Sequence, residues 1–151
     1  MAEIRTRYLE RRVTWKPCDS AGCTIPNCRS IDAIYYETLD GTRVERAEPG
    51  DVFEIDHEGS CPVWDNCSGT HVYVVLPDRG DGYLHHWNVD GRCSNCTLPE
   101  DREHRCWVRS GDPRAGTLHV DKNGRTCAAG AGSILSGKYH GFLHGGVLRD
   151  C

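Results

Sequence analysis

The chain has 151 residues, which suits one domain and would leave two near the lower size limit. Eighteen Lys and Arg stand against 22 Asp and Glu, a formal net charge of −4, without the basic excess of a nucleic-acid surface. The longest apolar stretch, residues 72–76, is too short to span a bilayer, and residues 1–12 lack the apolar core of a secretion signal. No nucleic acid and no membrane partner is therefore expected. The reading is a cytoplasmic protein of a bacterium or of a phage-infected host, with the virion as the other location.

In chain order, the pattern is short strands broken by Gly, Pro and Asp. Residues 34–39, Asp40-Gly41 and residues 42–46 read as a hairpin, because Asp-Gly supplies the positive φ of a tight turn. Pro49-Gly50 is a turn into the strand 52–55. Residues 71–76, β-branched and aromatic, form the best central strand. A strand over 84–89 ends at Asp90-Gly91. Strands over 106–109 and 117–120 flank a loop at 111–116, and 139–143 with 147–149 make a last hairpin around Gly145-Gly146. Helix signals are confined to residues 99–105, where Pro99 suits a first turn. The fold class is mainly β: a single compact antiparallel sheet or small barrel with long cysteine-bearing loops and little helix. One domain spans 1–151, with N-terminal strands and a cysteine loop in 1–49 and the core in 50–151.

Ten cysteines exceed ordinary usage. Without a secretion signal, metal ligation comes before disulfides, although an oxidised virion protein would favour the latter. Cys18, Cys23 and Cys28 are spaced C-x4-C-x4-C and supply three soft ligands or a disulfide-tied loop. Cys93 and Cys96 form a C-x2-C knuckle that His104 or Cys106 would complete. Cys61 and Cys67 precede the best strand, half of a structural site whose other half comes from Cys127 or Cys151. A closed metal site would stabilise a chain with only two Phe and one Met. The eight histidines show no H-E-x-x-H spacing and read mostly as surface or packing residues. His85 and His86, adjacent on a strand, face opposite sides.

The C-terminal stretch 130–151 carries the chemistry. Residues 128–132 have almost no side-chain bulk, so the backbone at Gly130 and Gly132 can approach a ligand and offer N–H groups to an oxyanion. Ser133 ends this run and His140 opens the next strand. A serine needs a base within hydrogen-bond reach to attack an acyl group. Asp121, Asp90 and Asp56 are candidate orienters. The stretch is not a G-x-S-x-G elbow, since position 135 is Leu. A small-residue turn packed on a neighbouring strand is the plain alternative, and Cys127 with His140 is a third pairing.

Over residues 50–151 the layout resembles a family of small bacterial domains found in operons for ubiquitin-like conjugation in phage defence and in phage genomes. That family shows a cysteine cluster before a core strand, a Pro/Gly-Ser-Ile/Val step, a Ser-His-Phe-Phe-Ile strand and a Gly-x-Val-x-Trp-Cys ending. The counterparts are Cys61 and Cys67, Gly132-Ser133-Ile134, Tyr139-His140-Gly141-Phe142-Leu143, and the run from Gly146 to Cys151. The chain departs from the family at Gly137, where a cysteine is usual, at Asp150, where Trp is usual, and in a looser cysteine cluster. The resemblance implies a serine peptidase that processes a ubiquitin-like protein. Ser133 would be its nucleophile and His140 its base, with structural zinc on Cys61, Cys67 and Cys151 and Cys127 as fourth ligand.

Two functions follow. One is a serine hydrolase acting on the tail of a ubiquitin-like or other small protein partner. The other is a non-catalytic binding module, stapled by zinc or disulfides, of the kind a phage virion carries.

Overall fold

The computed structural model describes residues 3–57, 69–91, 96–98, 100, 106–122 and 132–151. Twelve strands lie among them. They are β1 (Glu3–Arg5), β2 (Arg7–Pro17), β3 (Arg29–Thr38), β4 (Arg43–Val44), β5 (Asp51–His57), β6 (Gly69–Leu76), β7 (His85–Asn88), β8 (Trp107–Ser110), β9 (His119–Lys122), β10 (Ile134–Ser136), β11 (Tyr139–His144) and β12 (Val147–Asp150). The all-β composition read from the sequence is what the structure shows, with no helix among the described residues. The strands divide into two six-stranded sheets, and neither closes into a barrel. The turn expected at 99–105 falls almost wholly outside the described residues.

The N-terminal sheet runs β4-β3-β2-β5-β6-β7, antiparallel except where β2 meets β5 in parallel at Arg7↔Asp51 and Tyr8↔Val52. The C-terminal sheet runs β1-β12-β11-β9-β8, with β10 on β11. The chain changes sheet at Thr6. Its N–H donates to Gly146 O of the C-terminal sheet at 2.9 Å, while the Arg7 N–H donates to Gly50 O beside the N-terminal one at 3.1 Å. The Asp40-Gly41 hairpin joins β3 to β4 with Gly41 at φ 88°. The β11–β12 hairpin around Gly145-Gly146 forms as the sequence predicts, and the β8–β9 pair forms with β9 two residues later than the 117–120 expected.

Alternation along each strand builds the core between the sheets. Tyr8, Val52, Val72, Val74 and Leu76 face Trp107, Leu118, Val120, Ile134, Tyr139, Leu143 and Leu148 in one buried cluster. Each fully buried aliphatic side chain contributes about 1.5–3 kcal/mol. A second cluster of Leu9, Tyr36, Phe53 and Val75 lies on the other face of the N-terminal sheet. β2 and β3 outrun this core. Their distal halves form a solvated arm exposing Trp15, Ile31 and Ile34, with a register irregularity between Thr14 and Trp15. The three N-terminal cysteines lie between the two strands of this arm.

Candidate functional site

β10 was not foreseen as a strand, and it decides the geometry of the candidate site. It pairs with β11 so that Leu135 lies opposite His140 and Ile134 opposite Gly141. Ile134, Tyr139 and Leu143 point inward and are buried, which turns Ser133, Leu135, His140 and Phe142 to the outer face. Ser133 and His140 are diagonal neighbours on that face, a separation that a long side chain can bridge. Ser133 Oγ lies 3.1 Å from His140 Nε2. The Cys151 N–H donates to His140 O at 3.0 Å, fixing the backbone beneath the imidazole.

Two of the three candidate orienting carboxylates are engaged elsewhere, and the third, Asp56, is exposed on β5 of the N-terminal sheet. Asp121 bonds His119 and His144. Asp90 accepts from the Val72 N–H and pairs with Arg109. Among the described residues His140 has no carboxylate partner, so the arrangement is a dyad. Gly130 lies outside the described residues. Gly132 packs on Asp121, where an added Cβ would sit 2.7 Å from Oδ1, so this glycine makes room for a carboxylate.

A second Ser/His/Asp grouping lies beyond the far end of β10. His85 Nε2 is 3.0 Å from Asp81 Oδ2, and His85 Nδ1 is 3.5 Å from Ser136 Oγ. The latter is too long for a firm hydrogen bond. The Asp81 carboxylate also accepts the Lys138 N–H at 3.0 Å. These contacts dock the β10–β11 turn onto the loop before β7. His86 turns the opposite way, edge-on to Phe53 at 5.4 Å, as strand alternation requires.

Of the cysteine groups, the first comes together. Cys18, Cys23 and Cys28 place their Sγ atoms within 4.8 Å of one another, and the three can hold a metal ion. The chain closes on itself there through Cys18 N–H to Cys28 O at 2.9 Å. The Ser20 N–H, with help from the Cys28 thiol, lowers the Cys18 thiol to about 7, while donation to Cys18 raises that of Cys28. One sulfur is thus poised as a thiolate, the form that binds metal. In the second group, Cys106 is buried in the core and Cys96 packs against it, whereas Cys93 and His104 lie outside the described residues. Of the set that the resemblance implies, Cys61, Cys67 and Cys127 also lie outside them. Cys151 is exposed just after β12.

His119, Asp121 and His144 form a cluster that reading the histidines as packing residues missed. The available signal was His-x-Asp on a strand, two residues apart and hence on one face. No known protein family, curated protein or solved structure matches this chain.

Proposed function

We propose that the protein is a serine hydrolase that cleaves an acyl bond in the tail of a small protein partner, with Ser133 as nucleophile and His140 as general base. The observation that carries this reading is the 3.1 Å approach of Ser133 Oγ to His140 Nε2. With its proton on Nδ1, neutral His140 accepts the Ser133 proton at Nε2 as Oγ attacks the carbonyl carbon. The proton then passes to the leaving group, and water attacking the acyl-serine regenerates the hydroxyl. His140 is exposed and Ser133 half-buried on an open sheet face, a setting that admits a protein tail. The resemblance to ubiquitin-like processing domains points the same way.

Independently of that reading, and apart from the zinc ligands that the resemblance implies, we propose that Cys18, Cys23 and Cys28 hold zinc, because their sulfurs lie within 4.8 Å of one another. Bound there, the ion would cross-link the base of a loop that has little apolar core of its own. Metal analysis of anaerobically purified protein tests it. One equivalent of zinc lost in both the Cys18→Ser and Cys23→Ser variants supports the assignment, and wild type that loses none in them, or carries none, sinks it.

The hydrolase is tested with a fluorophosphonate probe on the folded chain. Labelling that vanishes in both Ser133→Ala and His140→Ala supports the dyad, and a folded wild type that never labels overturns it. The exposed apolar side chains of the arm, Trp15, Ile25, Ile31 and Ile34, favour a second reading, a non-catalytic binding module. That reading predicts partner binding unchanged by Ser133→Ala and reduced by Trp15→Ala.

A further inference from the structure

We propose that His119, Asp121 and His144 form a second metal site, for a divalent transition-metal ion bound by two imidazoles and one carboxylate. The backbone sets the constellation. Leu143 pairs with Val120, and both are fully buried, so their neighbours face outward. His144 is therefore opposite His119, and Asp121 lies on the diagonal. His119 Nε2 stands 2.8 Å from Asp121 Oδ2, and His144 Nε2 stands 3.1 Å from Oδ1. The three candidate ligand atoms lie within 4.8 Å of one another.

Ligand chemistry defines the occupant. Imidazole with carboxylate suits zinc, iron(II), cobalt(II) and similar ions, whereas calcium and magnesium prefer oxygen alone. The side chains of His119, Asp121 and His144 keep 38%, 50% and 39% of their surface exposed. Three ligands on one side leave coordination positions open to solvent, the pattern of a reactive rather than a closed structural centre. The thiol cluster also offers three ligands, but soft ones, so the two sites select by ligand softness.

Loading has a definite proton balance. In the metal-free protein each Nε2–H donates to one oxygen of Asp121. The ion takes the place of both protons, and each imidazole carries its proton on Nδ1 instead, with none released overall. His119 Nδ1 now accepts the Gly145 N–H at 3.2 Å, so that peptide has to turn away. The two rings, stacked at 4.4 Å and 14° from parallel, also have to tilt until their lone pairs converge. The peptide movement falls at the β11–β12 turn, where Gly145 holds a φ of 57° and an added Cβ would meet nothing within 4 Å. Metal binding is thereby coupled to the conformation of that turn.

The test is titration of chelator-treated full-length protein with cobalt(II), followed by calorimetry and visible absorption. A thiolate site adds strong sulfur-to-cobalt charge-transfer bands, and an imidazole–carboxylate site gives only weak ligand-field bands. The expected result is a binding event without charge transfer that persists in Cys18→Ser/Cys23→Ser. It should weaken more than about 100-fold in His119→Ala and in His144→Ala, since even indirect partners of a ligand are worth 10–100-fold. Broadening of the His119 and His144 ring signals by cobalt(II) in wild-type protein gives the same answer without a variant. Cobalt(II) binding without charge transfer that survives both histidine substitutions in the Cys18→Ser/Cys23→Ser background, or ring signals left sharp at saturating cobalt(II), overturns the proposal. Fluorophosphonate labelling of Ser133 is read separately, so either reading can fail alone.

Discussion

Ser133 reaches His140 on the diagonal of the β10–β11 ladder, Oγ to Nε2 at 3.1 Å, while Leu135 occupies the position directly opposite the histidine. His140 is held by the β10–β11 ladder, and Ser133 immediately precedes the first paired residue, Ile134, so the fold at this point does not rest on the side-chain bond.

Ser133→Ala should therefore change unfolding free energy by less than about 0.5 kcal/mol, the range of surface substitutions, while abolishing fluorophosphonate labelling. Ser136→Ala is the control, because Ser136 lies beside His85. Denaturant midpoints and labelling intensity measure the two effects. Labelling lost in Ser136→Ala and retained in Ser133→Ala would move the nucleophile to the far end of β10.

The turn glycines should respond very differently to one added methyl. At Gly146 a Cβ would stand 1.7 Å from Gly116 O, whereas at Gly145 nothing lies within 4 Å. Gly145→Ala carries only the left-handed backbone penalty of about 1–2 kcal/mol. Gly146→Ala adds a backbone collision at the point where the Thr6 N–H and Leu118 O meet the turn, for a loss of about 3 kcal/mol or more. Thermal unfolding of the two variants gives the order directly.

Arg7 holds Asp51 through two parallel hydrogen bonds of 2.9 and 2.8 Å, across the parallel pairing that joins β2 to β5. Asp51 also accepts the Glu48 N–H at 2.7 Å and is 3% exposed. Asp51→Ala leaves that N–H and the guanidinium without their acceptor, and should lower stability by about 2–4 kcal/mol. Asp51→Asn keeps one acceptor oxygen and should lose less. Equilibrium denaturation that ranks the two the other way would contradict this account.

Alkaline unfolding should report on Tyr139. Burial, reinforced by the negative charge of Asp150, raises its hydroxyl from the ordinary 10 to about 12. The unfolded chain therefore ionises first, and stability falls as the pH climbs from 10 towards 12. The Tyr139 hydroxyl has no hydrogen-bond partner among the described residues, so Tyr139→Phe should cost little at neutral pH. It should also shift the alkaline unfolding midpoint upward in a circular-dichroism titration.

Local chemistry made most of the strands legible. Asp-Gly and Gly-Gly turns demanded positive φ, and runs such as His71-Val72-Tyr73-Val74-Val75-Leu76 left no alternative to a buried strand. β2 was harder to see, since its arm is solvated and shows little apolar alternation. β10 is only three residues long and gains its identity from β11. The same limit applied to the site. Ser133 and His140 could be named, because a serine after a small-residue run and a histidine on the next strand are local facts. Cys18, Cys23 and Cys28 were legible for the same reason, being close in sequence.

The sequence by itself determined which residue types were available, which segments were extended, and that their alternation would turn one side of each strand inward. Tertiary structure alone decided what lay opposite what. The register that sets Leu143 against Val120 brings His144 to His119 and Asp121, and thereby takes Asp121 from His140, for which its position in the chain had suited it equally well. Register depends on which buried side chains pack together across the two sheets, and that sum over distant contacts is not written in any one stretch of chain.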